Sequence, residues 1–106
     1  MPRLKFQTLT EQMFYVLLCL RESCYGMDIM ERVSLITDGR VSIGSGTLFN
    51  LLEQFSEAEM IRETYSKGRR RYYIITDKGR EVLEKECRRI TAQAEDYRKL
   101  FGGENL

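Results

Sequence analysis

A glycine set among cations and followed at once by strand-forming residues most limits the folds open to this chain. The segment runs Ser66-Lys67-Gly68-Arg69-Arg70-Arg71-Tyr72-Tyr73-Ile74-Ile75-Thr76-Asp77-Lys78-Gly79. Lys-Gly signals a turn, and Tyr-Tyr-Ile-Ile-Thr favours a strand. Ile61 to Tyr65 supplies a partner strand, so a β-hairpin with a cationic tip is expected. Such a tip repels itself unless an anion relieves it, and nucleic-acid phosphate is the natural one. In the pleat, the three arginines cannot all face the same way, and Tyr73 with Ile75 is expected to turn inward.

At 106 residues the chain makes one domain with a modest core. Its net charge of +1 conceals an asymmetry. Residues 1–61 sum to −3, residues 62–90 to +5 and residues 91–106 to −1. Basic character is therefore local, as a site requires. There are three cysteines, no histidine and no CxxC pair, so no metal and no disulfide framework are expected. Met13 to Leu20 is apolar but too short to span a membrane, and a cytoplasmic protein is expected. The chain lacks histidine as a general base, a Walker loop and GxSxG. Neither enzymatic activity nor a cofactor is expected.

Helical periodicity marks three segments before the hairpin. After an irregular lead-in over residues 1–8, Thr8 and Thr10 both offer N-caps, and Thr8-Leu9-Thr10-Glu11 matches the capping-box spacing. A mostly buried helix from Glu11 to Leu20 is expected. A connector, Arg21 to Cys24, leads to a second helix from Tyr25, with Ile29, Met30, Val33 and Ile36 as its apolar face. Met27 and Met30 are expected to fill core space. Thr37 to Arg40 breaks that helix, and Val41-Ser42-Ile43 alternates like a very short strand. Ser45 is a candidate N-cap for a third helix, Thr47 to about Glu57. Its core stripe is Leu48, Leu51, Leu52 and Phe55. The opposite face shows Thr47, Asn50, Glu53 and Gln54, with Phe49 on the flank. Ser45, Thr47 and Asn50 are residue types that contact base edges or phosphates. The helix has no Lys or Arg, so its N-terminal N–H groups would have to help hold phosphate.

Beyond the hairpin, Asp77 is a candidate N-cap for a helix from Lys78 to about Phe101. Leu83, Cys87, Ile90, Ala94, Tyr97 and Phe101 are spaced 4, 3, 4, 3, 4, an a/d seam of almost three heptads. The helix would be about 36 Å long, more than a small core needs. Val82, Leu83 and Cys87 are expected to fold back on their own domain, with the distal half left for a second copy. Burying five or six such side chains per protomer gives on the order of 10 kcal/mol gross, against an association cost of several kcal/mol. A buried Cys87 would be an inert packing residue. Gly102-Gly103 should end the helix, leaving Glu104 to Leu106 as a frayed tail.

Three helices, a basic hairpin and another helix is winged-helix order. The expected fold is mainly α with a small β-hairpin, a winged helix-turn-helix plus a long C-terminal helix. Residues 1–76 would form the DNA-binding region, and residues 77–106 the dimerisation helix and tail of the same domain. The chain resembles the PadR family of bacterial transcriptional regulators. The matching pieces are Leu9-Thr10-Glu11, Phe14 to Leu18, Tyr25-Gly26, Gly44-Ser45-Gly46-Thr47-Leu48-Phe49, Leu52 with Ile61, and Gly68 to Gly79. Ser45 stands where the family usually has proline, and Phe49 where it usually has tyrosine.

The resemblance implies a homodimeric repressor of a double-stranded DNA operator, released by a small molecule. Ser45, Thr47, Phe49 and Asn50 would then read bases, while Lys67, Arg69, Arg70 and Arg71 would hold phosphates. Two copies could read half-sites roughly 34 Å apart. The resemblance also implies an effector site for drug-like aromatic molecules between the long helices, which Tyr15, Tyr97 and Phe101 could line. The competing reading is a winged helix used for protein–protein contact, its basic hairpin gripping an acidic partner.

Overall fold

The computed structural model describes residues 8–102. The lead-in expected before Thr8, with Pro2, lies outside the described residues, as do Gly103 and the tail at 104–106. The elements are α1 (Glu11–Cys19), β1 (Cys24–Tyr25), α2 (Gly26–Ile36), α3 (Ser45–Glu57), β2 (Ile61–Lys67), β3 (Arg70–Ile75) and α4 (Asp77–Tyr97). A π-helical turn, Arg98–Gly102, extends α4. The fold is a winged helix with a long C-terminal helix, as the element order predicts.

Three helices bury one apolar stripe each. Val16, Leu17 and Leu20, Ile29 and Val33, and Leu48 and Phe55 are wholly enclosed. The i, i+3, i+4, i+7 pattern of α3 is realised in full, since Leu48, Leu51, Leu52 and Phe55 are all buried. Each such side chain contributes about 1.5–3 kcal/mol. Ile36 departs from its expected place: it and Leu35 lie exposed at the end of α2. Met27 is exposed too, while Met30 packs against the core.

The helix ends differ in detail from the sequence expectation. Thr10, not Thr8, caps α1, its hydroxyl accepting from Met13 N–H. Gly44, not Ser45, is the N-cap of α3, and Ser45 is the first helical residue. Thr76, not Asp77, caps α4 by accepting from Gly79 N–H at 3.1 Å. The C-terminus of α3 closes with Met60 N–H on Phe55 C=O and Glu59 N–H on Ser56 C=O. That closure puts Glu59 at φ 63, a left-handed position that glycine usually takes.

The sheet has three antiparallel strands in the order β1-β3-β2. The expected hairpin is β2–β3, joined by Gly68-Arg69 with Gly68 at φ 61, the positive φ that the first residue of a type II′ turn takes. Cys24-Tyr25, expected as part of a connector and a helix start, instead forms edge strand β1 against Tyr72 and Tyr73. Val41-Ser42-Ile43 is not a strand. Val41 and Ile43 are buried around an exposed Ser42, whose carbonyl accepts from Gln12 Nε2.

The α4 helix is tied to the body at its start and near its middle. Val82 and Leu83 pack against the core, as expected. Cys87 does not: it is exposed. The enclosed residue on that turn is Glu86, 2% exposed. Its Oε2 accepts from Leu9 N–H at 2.7 Å and from Arg89 Nη2 at 2.6 Å, and its Oε1 from Arg89 Nε at 2.9 Å. Arg89's hydrogen bonds hold the Glu86 carboxyl below its ordinary 4.5, against the upward push of burial, with Leu9 N–H adding to the lowering. A carboxyl lowered on folding stabilises above its unfolded value, and that stability is lost as pH falls through the folded value. The melting temperature should therefore fall with acidification below about pH 4.5, and fall less steeply in Glu86→Gln. Thermal melts between pH 7 and pH 3 check this; equal slopes would remove Glu86 from the acid response.

Candidate nucleic-acid interface

The pleat sorts the hairpin cations onto two faces. Arg69 and Arg71 line a cleft of about 300 Å³ with Tyr73, Phe49 of α3, and Tyr25, Gly26 and Met27 at the start of α2. Arg70 lies over Tyr25, its Cζ 5.1 Å from the ring centroid. Tyr72 neighbours Tyr25 at 5.7 Å and Tyr65 at 5.4 Å between ring centroids. An irregularity between Glu63 and Tyr65 shifts the register, so that Tyr65 pairs with Tyr72. Thr64, the extra residue, hydrogen-bonds Ser23 through its hydroxyl at 2.7 Å. Tyr73 packs against the core and Ile75 is buried, as the alternation predicts.

Lys67, Arg69, Arg70 and Arg71 are all exposed. Lys67 and Arg70 are direct cross-strand partners, and like charges placed opposite destabilise a hairpin. A bound anion would relieve that repulsion.

The outer face of α3 is polarised along its length. Ser45, Thr47, Phe49 and Asn50 are exposed in its first two turns, and the Asn50 side-chain oxygen accepts from Gln54 Nε2 at 3.2 Å. Phe49 is 50% exposed and faces the arginine cleft. The C-terminal half, by contrast, borders a groove of about 710 Å³ lined by Glu53, Glu57, Glu59 and Glu63 together with Arg62 and Arg71. Four carboxylates against two guanidinium groups make that groove less favourable to a polyanion than the cleft that holds Arg69 and Arg71 and no carboxylate. The N-terminus of α2 borders the same cleft, and its N-cap Tyr25 makes no side-chain cap bond, so the positive end of that helix dipole lies beside the arginines.

Of the α3 and hairpin residues expected from sequence, Phe49, Arg69 and Arg71 line one cleft, while Ser45, Thr47, Asn50, Lys67 and Arg70 are exposed but not part of its lining. Sequence reasoning missed Tyr25 as the platform under Arg70, and Met27 as a wall of the cleft. Tyr25-Gly26 stood out in the sequence as a helix start and as a piece of the family resemblance, not as a strand; the two-residue strand that positions Tyr25 is too short for periodicity to reveal.

The other expected residues lie along α4. Leu83 is half-buried in its own chain, while every residue from Cys87 to Phe101 is exposed. Ile90 is 43% exposed, Tyr97 58% and Phe101 80%, and with Cys87 and Ala94 five of the six seam residues are exposed in one chain. Tyr97 and Phe101 stack at 5.7 Å. Tyr15 is on a different element, α1, edge-on to Phe14 and accepting from Arg40 Nη2 at 3.4 Å. Burial pushes the Cys19 thiol up to about 11 and raises that of Cys24, which makes both poor nucleophiles at neutral pH. No helix among the described residues is long and apolar enough to cross a membrane.

A family model described as the transcriptional regulator PadR-like family matches residues 16–85. Among solved structures, a transcriptional regulator from Clostridium thermocellum superposes with a TM-score of 0.72 at 22% identity, covering 86% of this chain and 92% of that one. A PadR family transcriptional regulator from Eggerthella lenta gives 0.71 at 25% identity, covering 84% and 80%. A PadR-like regulator from Bacillus cereus gives 0.71 at 24% identity, covering 88% and 93%. At 22% and 24% identity the likeness is one of fold. No curated protein matches the chain.

Proposed function

We propose that this chain, which belongs to the PadR-like family of transcriptional regulators, is a homodimeric repressor that binds double-stranded DNA and is relieved by a small molecule. One observation carries the DNA reading: Phe49, on the exposed N-terminal half of α3, shares a cleft with Arg69 and Arg71 of the hairpin. In this reading α3 enters the major groove, where Ser45, Thr47, Phe49 and Asn50 meet base edges. The hairpin tip meets the backbone beside it, and Lys67, Arg69, Arg70 and Arg71 neutralise phosphates. Residues 1–76 then form the DNA-binding region, and α4 pairs with its counterpart through Leu83, Cys87, Ile90, Ala94, Tyr97 and Phe101. The exposed distal seam supports that pairing. An aromatic effector would fit where the stacked Tyr97 and Phe101 of the two copies meet, with Tyr15 of α1 as an added wall. The role is binding without catalysis or cofactor, and it places the protein in the cytoplasm with the promoter.

Titration with salt tests the reading. If each hairpin neutralises two or three phosphates, the dimer releases about five counterions, and affinity falls steeply with salt. Arg69→Ala with Arg70→Ala should weaken binding to every sequence and flatten the salt slope by about four counterions per dimer. Asn50→Ala should chiefly relax sequence choice, by about 1–3 kcal/mol at one position. Binding of wild type to DNA upstream of its own gene is the direct assay. The absence of cations on α3 leaves one rival, a winged helix that grips an acidic protein. No sequence-specific shift at moderate salt would favour that rival.

A further inference from the structure

We propose that Glu86 is a positioning residue that sets the distance between the two DNA-reading units of the dimer. The proposal rests on the pairing of α4 helices argued above. Glu86 is the one buried charged side chain among the described residues, and both its oxygens are engaged. One of its partners, the N–H of Leu9, belongs to the segment that enters α1, 77 residues away in sequence. The other, Arg89, is on α4 itself and continues the chain of contacts to Gln93. Glu86 therefore joins α4 to the body at the last turn of α4 that holds a buried residue.

Burying a carboxylate is costly, and an apolar side chain of similar volume often stabilises as well or better. What the carboxylate adds is direction. Apolar packing of Val82 and Leu83 tolerates small rotations, whereas a 2.7 Å hydrogen bond to one backbone N–H does not. Beyond Glu86 every residue from Cys87 to Phe101 is exposed, so the helix is a lever with its fulcrum at this bond. At 1.5 Å per residue, Tyr97 lies about 17 Å beyond Glu86. A swing of about 5° there displaces the seam by about 1.5 Å. The same swing in both protomers adds to about 3 Å, close to the base-pair rise of roughly 3.4 Å. Freeing this joint would let the dimer accept half-sites one base pair nearer or farther.

The test is Glu86→Met, which keeps length and volume but cannot accept from Leu9, beside Glu86→Gln, which keeps the acceptor. Each dimer is titrated with duplexes whose half-sites are at the best spacing or moved by one base pair. Wild type and Glu86→Gln should discriminate by about tenfold or more. Glu86→Met should bind all three duplexes within about threefold, with the wild-type salt slope. A folded, dimeric Glu86→Met that keeps wild-type discrimination overturns the proposal. Should Glu86→Met not fold, Leu9→Pro removes the donor instead, and discrimination retained there overturns it equally. Sedimentation separates this failure from failure of the dimer reading, since a monomeric wild type would sink both.

Discussion

Gly79→Ala should destabilise the protein by on the order of 3 kcal/mol or more, although alanine ordinarily improves a helix by 0.5–1 kcal/mol (roughly) over glycine. The reversal comes from contact. A Cβ on Gly79 would sit 2.2 Å from the Met60 carbonyl oxygen and 2.7 Å from Ile75 Cγ1. Neither neighbour can withdraw cheaply. Met60 C=O accepts from Thr76 N–H at 2.9 Å, and Met60 N–H is bonded to Phe55 C=O. Thr76 is fixed again by its hydroxyl on Glu59 C=O at 2.7 Å. Relief would require the first turn of α4 to lift from the α3–β2 corner, uncovering Ile75, Val82 and Leu83. Gly46→Ala is the control, since a Cβ there meets nothing within 4 Å, and it should be neutral or stabilising by up to about 1 kcal/mol. Urea unfolding should place Gly79→Ala well below wild type and Gly46→Ala at or above it. If Gly79→Ala is as stable as wild type, the close approach of α4 to Met60 is wrong.

What could be read ahead of the structure divides by the range of the forces involved. The hairpin, the α3 stripe and the long α4 are written in local spacing, so periodicity and turn chemistry found them. Cap positions slid by one residue at Ser45 and Asp77, because Gly44 and Thr76 offer equivalent geometry one step earlier. Residues decided by distant neighbours were not legible. Glu86 looks like a solvated helix residue until Leu9 N–H arrives from the far end of the chain. Cys87, on the seam, looks like core until the body proves too small to reach it. Ile36 fits the stripe of α2, yet that helix outruns the surface it packs on. Of the candidate site, the charges and the polar face of α3 were visible. Their meeting around Phe49 depended on β1, whose two residues pair only because β3 lies beside them.

The second large effect concerns the uncovered half of α4. If α4 pairs two copies as proposed, Ile90→Glu with Tyr97→Glu should leave a monomer, with DNA affinity reduced by about a hundredfold or more. The distal seam has no use for its apolar surface within one chain. From Cys87 to Phe101 nothing is buried, and the exposed apolar residues fall every three or four positions along one side. An isolated helix of that length with no covering partner is marginal in water, and apolar surface so arranged is what a paired helix buries. Two carboxylates per protomer, placed in a seam that brings copies together, would be desolvated without partners, and that cost exceeds what the remaining contacts return. The expected signature is a dissociation of roles. Sedimentation should report the monomer mass, while urea unfolding of the body changes by no more than about 0.5 kcal/mol, since neither side chain touches the core. Binding to a single half-site should keep its dependence on Lys67, Arg69 and Arg70 and lose only the linkage between sites. A double variant that stays dimeric at micromolar concentration would refute α4 as the pairing element and leave the cationic hairpins without a means of acting together.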